Sequence, residues 1–389
     1  MGSPKKIRVA VLYGGRSGEH EISLQSAASV IRNLDPERFE IVPIAIDKQG
    51  RWLLNDVSLI QNSLKSLPIF DDAPAVVLPP NPTGIEASVV PLDSMTLKPD
   101  TKRKFDVVFP VMHGPLCEDG TVQGLLELAD VAYVGSGVLA SAAAMDKDVA
   151  KRLARDAGLP IVPFISLRSD RWKQEPEAVR KQVVHELEFP VFVKPANMGS
   201  SVGVHKVKAA AELTAAFTDA FQYDNKVLIE KAVNAREIEL AVLGDIDPLE
   251  PPLISIAGEV IPTHEFYSYE SKYIDENGAA LDIPARITSE QMRAAKQLAR
   301  DVFITLECEG MARVDLFLDK LSGTFYFNEI NTIPGFTQIS MYPRLFEASG
   351  IGYKELLSRL IDLALERQKR KRQLSRDYLG SHGGHDAAR

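Results

Sequence analysis

The chain lacks the marks of several large protein classes. Its two cysteines, Cys117 and Cys308, lie far apart in 389 residues without metal-type spacing. That excludes a disulfide framework or a zinc ribbon and fits two reduced thiols in a cytoplasmic protein. No apolar run nears the roughly 18 residues needed to span a bilayer. The opening "MGSPKKIRVAVLYGG" passes from a few polar residues straight into a strand, so no signal peptide is expected. Basic charge is not in excess: the net charge of −8 argues against bulk attraction to nucleic acid or anionic membrane. There is no G-x-x-x-x-G-K-[ST] phosphate loop and no internal repeat. What remains is ordinary globular composition, 45% hydrophobic and 25% charged, in a length that suits two or three domains.

The elements that are present alternate as α/β. "IRVAVLYGG" reads as a buried parallel strand ending in a glycine turn, followed by the helical pattern "HEISLQSAASVIRNL" and the strand "FEIVPIAID", a βαβ opening of Rossmann-like type. Residues 71–100 are proline-rich and read as an excursion with short strands, before the buried strand "FDVVFPVMHG". From about Met145 single helices alternate with hairpins. The expected division is an N-terminal α/β domain over 1–144, a central domain over 145–242, a C-terminal domain over 243–366, and a basic segment over 367–389 that reads as a helix end plus disordered tail.

The most informative segment is the hairpin "RVDLFLDKLSGTFYFNEIN". A turn centred on Ser322 places Phe317 opposite Phe327, Asp315 opposite Glu329 and Arg313 opposite Asn331, all on one face. Like charges directly opposite destabilise a sheet; at ~5 Å and an effective dielectric of ~20 the repulsion is about 3 kcal/mol. A divalent cation removes the objection, and carboxylate and amide oxygens suit Mg²⁺ or Mn²⁺ but not zinc. The bland alternative is a surface hairpin with ordinary acidic residues.

A second segment, "VKPANMGSSVGV", carries Lys194 at a strand end and then a small-residue loop. An ammonium group there can meet phosphate oxygens, and Gly199, Ser200, Ser201 and Gly203 allow close backbone approach with N–H and O–H donors. The alternative is a flexible hairpin. Lys147, at a helix start, is a second candidate cation. In "VLIEKAVNAREIELAV", backbone groups around Lys231–Val233 could read adenine, and Glu230 and Glu237 flank them. "GSGVLA" at 135–140 matches a dinucleotide fingerprint only in part, without the required βαβ context.

Taken in order, "GGRSGEHEISLQSA", "HGPLCEDGTVQG", "MDK", "VKPANMGSSVG", "EKAVNAREIE", "YSYESKY", "RVDLF" and "NEINTIPGFT" resemble the D-alanine–D-alanine ligase family of the ATP-grasp superfamily, over residues 5 to about 366. The resemblance implies three α/β domains, with ATP between the central and C-terminal ones under the glycine-serine loop. It implies that Lys147, Lys194, Ser201, Glu230, Lys231, Val233 and Glu237 contact the nucleotide, and that Asp315, Glu329 and Asn331 hold two Mg²⁺ or Mn²⁺ ions. Glu19 would bind the ammonium of the first D-alanine with His113 nearby, while Ser200 and Tyr273 bridge the closing loops. Arg313 and Gly335 would stabilise the reacting carboxyl, and Ser340 and Met341 would line the second D-alanine site. Relatives that make D-alanyl-D-lactate lack a tyrosine at the position of Tyr273, so the resemblance also implies an amine as second substrate. It further implies a homodimer.

Two other classes compete. A dinucleotide-dependent oxidoreductase would use the βαβ opening and residues 135–140, but leaves the acids of 313–331 and both lysines unexplained. A non-catalytic nucleotide-binding scaffold would not need Arg313, Glu329 and Asn331 together. Another ATP-grasp carboxylate–amine ligase differs only in substrate.

Overall fold

A computed structural model describes residues 5–60, 65–80, 87–92, 103–262 and 279–375. The first unit is one eight-stranded sheet. Its strands are β1 (Ile7–Gly14), β2 (Phe39–Ile46), β3 (Trp52–Leu54), β4 (Ala75–Val77), β5 (Ala87–Pro91), β6 (Arg103–Phe105), β7 (Val107–Val111) and β8 (Ala132–Tyr133), in the order 6-5-4-3-2-1-7-8. Pairing is parallel from β2 through β1 and β7 to β8, as the near-continuous apolar runs require. Beyond β2 it turns antiparallel, and the proline-rich excursion supplies β4 and β5. The unit also holds α1 (His20–Asn33), α2 (Val57–Ile60), α3 (Thr121–Leu128) and α4 (Val138–Met145).

The second unit comprises α5 (Lys147–Asp156), β9 (Phe164–Arg168), α6 (Ser169–Gln174), α7 (Pro176–Glu186), β10 (Val191–Pro195), β11 (His205–Val207), α8 (Leu213–Ala220) and β12 (Lys226–Lys231). Its antiparallel sheet runs 11-10-12-9. Period-two alternation decides what each face carries. Val191, Val193, Val227 and Ile229 pack with Val179 and Val183 of α7 and Phe217 of α8. The intervening residues, Lys194 on β10 and Glu230 on β12, therefore point from the opposite face.

The third unit is a five-stranded antiparallel sheet of β13 (Ala235–Leu243), β14 (Leu253–Pro262), β15 (Ala279–Asp282), β16 (Met311–Asp319) and β17 (Phe325–Asn331), in the order 15-14-13-16-17. Helix α9 (Ser289–Thr305), started by a capping box of Thr288 and Gln291, covers one face through Ala295, Ala299 and Val302 against Leu240, Val314 and Leu316. The remaining helices are α10 (Met341–Ala348) and α11 (Tyr353–Arg372).

Three expectations change. Strand β13 pairs with β14 and β16, so residues 235–242 belong to the C-terminal sheet and not to the central unit. The helix end expected in the basic segment runs to Arg372, but it is not free: Arg367 is buried and donates to Gly135 O (2.5 Å) and Tyr133 O (2.7 Å). The hairpin keeps Asp315 opposite Glu329 and Arg313 opposite Asn331, but Phe317 faces Tyr326 instead of Phe327. The turn is closed by Asp319, which accepts from Leu321 N (2.9 Å) and Ser322 N (2.6 Å), and a bulge at Asn328 shifts the register by one residue.

Candidate active site

The polar face of the central sheet meets the polar face of the C-terminal sheet. Lys194 makes the crossing: its Nζ lies 2.5 Å from Glu230 Oε2 and 5.6 Å from the centre of the Phe317 ring on β16. Lys151 completes the group from α5. It is 1% exposed, its Nζ stands 2.6 Å from Glu230 Oε1, and it donates to Phe327 O at 3.2 Å. Burial pushes the Glu230 carboxyl up, but the two ammonium groups outweigh burial and hold it below the usual carboxylate value. Burial likewise pushes the Lys151 ammonium down, and Glu230 offsets part of that.

Lys147, one helical turn before Lys151, faces the same cleft. Asp146 caps the helix by accepting from Asp148 N and Val149 N. The Lys147 Nζ donates to Met198 O in the glycine-serine loop (2.7 Å) and lies 3.2 Å from Glu329 Oε2. The helix start, the loop and the C-terminal sheet thus meet at one ammonium group.

On the C-terminal sheet the register aligns Glu239 of β13, Asp315 of β16 and Glu329 of β17 in one row across three strands. Arg313 neutralises two of them. Its Nε and Nη2 chelate Asp315 at 2.7 and 2.6 Å, and its Nε lies 3.2 Å from Glu239 Oε2. Asn331 Nδ2 donates to Asp315 Oδ2 at 3.1 Å. Glu237 follows on β13, opposite Phe317. In the 231–233 stretch the N–H groups of Lys231 and Ala232 are bonded to Pro163 O and Pro190 O (both 3.0 Å). The Lys231 ammonium pairs with Glu188 at 2.5 Å, away from the cleft. Val233 lies between these anchors and β13.

The N-terminal unit closes the third side. Glu19, at the start of α1, accepts from the Ser200 hydroxyl across the cleft. Gly114 has φ +78, and a Cβ there would stand 2.6 Å from Glu19 Oε2, so any larger residue would displace that carboxylate. His113 is buried, with Nε2 3.1 Å from Ser26 Oγ and Nδ1 3.1 Å from Ile333 O. Burial lowers its pKa, which favours the neutral ring. Glu118, also buried, accepts from Gly114 N (3.0 Å), and burial with the nearby Glu19 charge raises its pKa well above the ordinary range.

Gly335 and Ser340 lie on the loop between β17 and α10. Ser340 Oγ accepts from Thr337 N at 3.0 Å, and a Cβ on Gly335 would meet that oxygen at 2.8 Å. The Met341 side chain is buried against β14, where a Cβ on Gly258 would meet its sulfur at 2.9 Å. From Met341 it is therefore the helix N-terminus, more than the thioether, that is directed toward the loop. Tyr273 and "YSYESKY" lie outside the described residues.

The comparisons with known proteins identify the family. The D-ala D-ala ligase N-terminus family model matches residues 8–136 and the D-ala D-ala ligase C-terminus model matches 153–362. The chain is 58% identical over 376 residues to a D-alanine--D-alanine ligase A of Bradyrhizobium diazoefficiens, covering 96% of this chain and 99% of that one. The chain belongs to the D-alanine–D-alanine ligase family. Among solved structures, the D-alanine-D-alanine ligase from Coxiella burnetii superposes with a TM-score of 0.81 at 34% identity, covering 97% of this chain and 99% of that chain. The VanG D-Ala:D-Ser ligase from Enterococcus faecalis gives 0.80 at 35% identity, covering 92% and 100%. The α/β, three-unit ATP-grasp architecture is that of the ligase family.

Three charged residues of this ligase-family site escaped the sequence reading: Lys151, Glu239 and Glu118. Lys151 had a signal, the four-residue spacing from Lys147 on one helix face. Glu239 had a weaker one, the alternation with Glu237. Glu118 had none, because nothing local distinguishes it from the neighbouring Asp119.

Proposed function

We propose that this protein joins two D-alanine molecules at the expense of ATP, through a D-alanyl phosphate, with residue roles that follow the geometry above. The observation that carries it is the convergence of Lys147, Lys151, Lys194 and Arg313 on one cleft whose third wall is Glu19. No side-chain nucleophile is required. The first D-alanine lies with its ammonium on Glu19 and its carboxylate near Arg313. A carboxylate oxygen attacks the γ-phosphorus of ATP, the bond to the β-bridging oxygen breaks, and ADP leaves. Lys147 and Lys194 hold the phosphates in line, so catalysis is positioning and charge stabilisation. The amine of the second D-alanine, placed by the loop of Gly335 and Ser340, then attacks the acyl carbon. The acyl C–O bond breaks, and the departing phosphate takes its electron pair and the proton the amine gives up. The Ser200–Glu19 contact seals the loop over the acyl phosphate and excludes water.

Asp315, Glu329 and Asn331 fit a pair of Mg²⁺ or Mn²⁺ ions. They are hard oxygen donors on one face, and phosphate oxygens and water would complete an octahedral shell. Among the described residues no group of three or more His, Cys, Asp or Glu forms a metal site by itself, in keeping with ions that arrive with the nucleotide. When bound, they neutralise phosphate charge. The Glu230 region, Lys231–Val233 and Glu237 serve adenosine, and Ser201 the phosphates. Tyr273, outside the described residues, is proposed with Ser200 to bridge the closing loops, as the family resemblance implies. Among the described residues no helix is long and apolar enough to cross a membrane. A cytoplasmic homodimer, as the family resemblance implies, completes the proposal.

The deciding experiment measures ADP release with D-alanine, L-alanine, D-lactate and D-serine, identifying products by mass. D-serine is included because the Enterococcus ligase of the same fold is named for it. D-alanyl-D-alanine as the main product supports the proposal; ADP release independent of D-alanine overturns it.

A further inference from the structure

The glycine-serine loop meets the N-terminal unit at its tip, where Ser200 and Gly199 face Glu19. Ser200 and Ser201 sit at φ +54 and +59, backbone angles that persist only where the surroundings enforce them. Besides the Lys147–Met198 and Ser200–Glu19 bonds along the loop, a turn behind it braces its two ends. At the loop's beginning, Asn197 gives both its backbone N–H (2.8 Å) and its side-chain amide (3.0 Å) to Asp224 Oδ2. At its end, Gly203 (φ +67) is pressed between rings: a Cβ would lie 2.6 Å from Tyr223 Cδ2 and 3.0 Å from Pro195 Cγ. Two consecutive residues therefore hold both ends of the loop.

The same turn reaches the catalytic lysine. Asp224 Oδ1 accepts from Lys226 N (3.1 Å), and Lys226 Nζ lies 2.6 Å from Asp146, the residue that caps the helix carrying Lys147. Tyr223 is 45% exposed and borders an open cavity of about 580 Å³ lined also by Trp172, Phe221 and Asn225. It supports Gly203 from outside the core and has room to turn as the loop swings.

We propose that Tyr223 and Asp224 are positioning residues for the known reaction: together they form the hinge that sets the phosphate-covering loop over the acyl phosphate. The proposal rests on the ligase reading above. Neither residue touches substrate, so its loss shows in coupling and not in capture of the first D-alanine. The loop still forms, but it closes out of register and admits water.

The test compares wild type with Asp224→Ala, Tyr223→Ala and Tyr223→Phe, measuring phosphate released per dipeptide formed, KM for D-alanine, and melting temperature. Asp224→Ala and Tyr223→Ala should lower kcat for dipeptide by about 10–100-fold and release surplus phosphate, with KM for the first D-alanine unchanged. Tyr223→Phe keeps the ring and should behave as wild type. If both alanine variants keep wild-type stoichiometry and rate, the hinge is refuted, even if their melting temperatures fall. Because Tyr223 is exposed, its alanine variant tests the idea even if Asp224→Ala misfolds. A wild-type enzyme that makes no dipeptide would instead defeat the parent reading, and the hinge with it.

Discussion

Replacing Lys151 by methionine tests whether the buried triad is a true charge cluster. Methionine matches the lysine side chain as far as Cε and lacks the ammonium. In the structure that ammonium lies 2.6 Å from Glu230 Oε1, and both groups are almost fully buried. At an effective dielectric of ~20 the gross attraction is about 6 kcal/mol. Part of this is offset by the cost of burying the lysine, so the net loss should be ~3–5 kcal/mol, the range for breaking a buried pair from one side. Glu230 gives the result a pH signature. Its pKa is pushed up by burial and brought below 4.5 by Lys151 and Lys194. A carboxyl depressed in the folded state stabilises above its unfolded pKa, and that stability is lost as pH falls through the folded value. Without Lys151 the folded pKa rises, so the stability gap between wild type and variant should be widest at neutral pH and narrow below about 4.5. Urea denaturation across pH measures this, and Glu230→Gln added to Lys151→Met should restore part of the loss. A gap under ~1 kcal/mol at neutral pH, or a pH-independent one, would refute the reasoning.

Other perturbations have equally definite outcomes. Glu19→Gln removes the charge-assisted bond to Ser200 and the proposed partner of the substrate ammonium; steady-state assays should show kcat/KM for the first D-alanine down by ~10–100-fold, a loss of about 1.5–3 kcal/mol. Gly114→Ala places a methyl 2.6 Å from Glu19 Oε2 on a left-handed backbone, so KM for D-alanine should rise while nucleotide binding by calorimetry stays near wild type. Arg367→Met leaves the Gly135 and Tyr133 carbonyls without their guanidinium donor; thermal melts should show a loss of ~2–5 kcal/mol, and truncation after residue 366 should be worse than truncation after 375.

What could be read in the sequence was what a strand or turn determines locally. Lys194 at its strand end was legible, and the mouth of the 313–331 hairpin paired as spacing required. Its far end did not, because a five-residue turn capped by Asp319 and one bulge trade a residue between the strands. The row of acids was half legible: Asp315 and Glu329 share a hairpin, whereas Glu239 joins through a pairing between β13 and β16 that no local pattern specifies. Arg367 shows the same limit. Within a run of like charges it looks solvated, yet the carbonyls that bury it lie 232 and 234 residues away.

The balance of charge in the cleft leads to a last prediction. Lys147, Lys151, Lys194 and Arg313 are matched within the cleft by Glu329, Glu230, Asp315 and Glu239, so the ion-paired set carries no net charge. A nucleoside triphosphate entering alone meets carboxylates as well as ammonium groups, and its charge is left without a counterpart. Asp315 and Glu329 would hold the divalent ions proposed to accompany the nucleotide, which would supply the missing positive charge and leave Lys147 and Arg313 to face the substrate. Glu329→Gln therefore has two opposite effects. Metal-dependent turnover should fall, because an anionic ligand is lost. ATP binding in the presence of a chelator should tighten, because Lys147 is released from its pair 3.2 Å away and the cleft becomes positive. An exposed pair would change affinity by less than ~1 kcal/mol; this partly buried one should give about 1–2 kcal/mol, some 5–30-fold in Kd by calorimetry. If metal-free ATP binds the variant no more tightly than the wild type, Lys147 is not held in check by Glu329 and the charge argument fails.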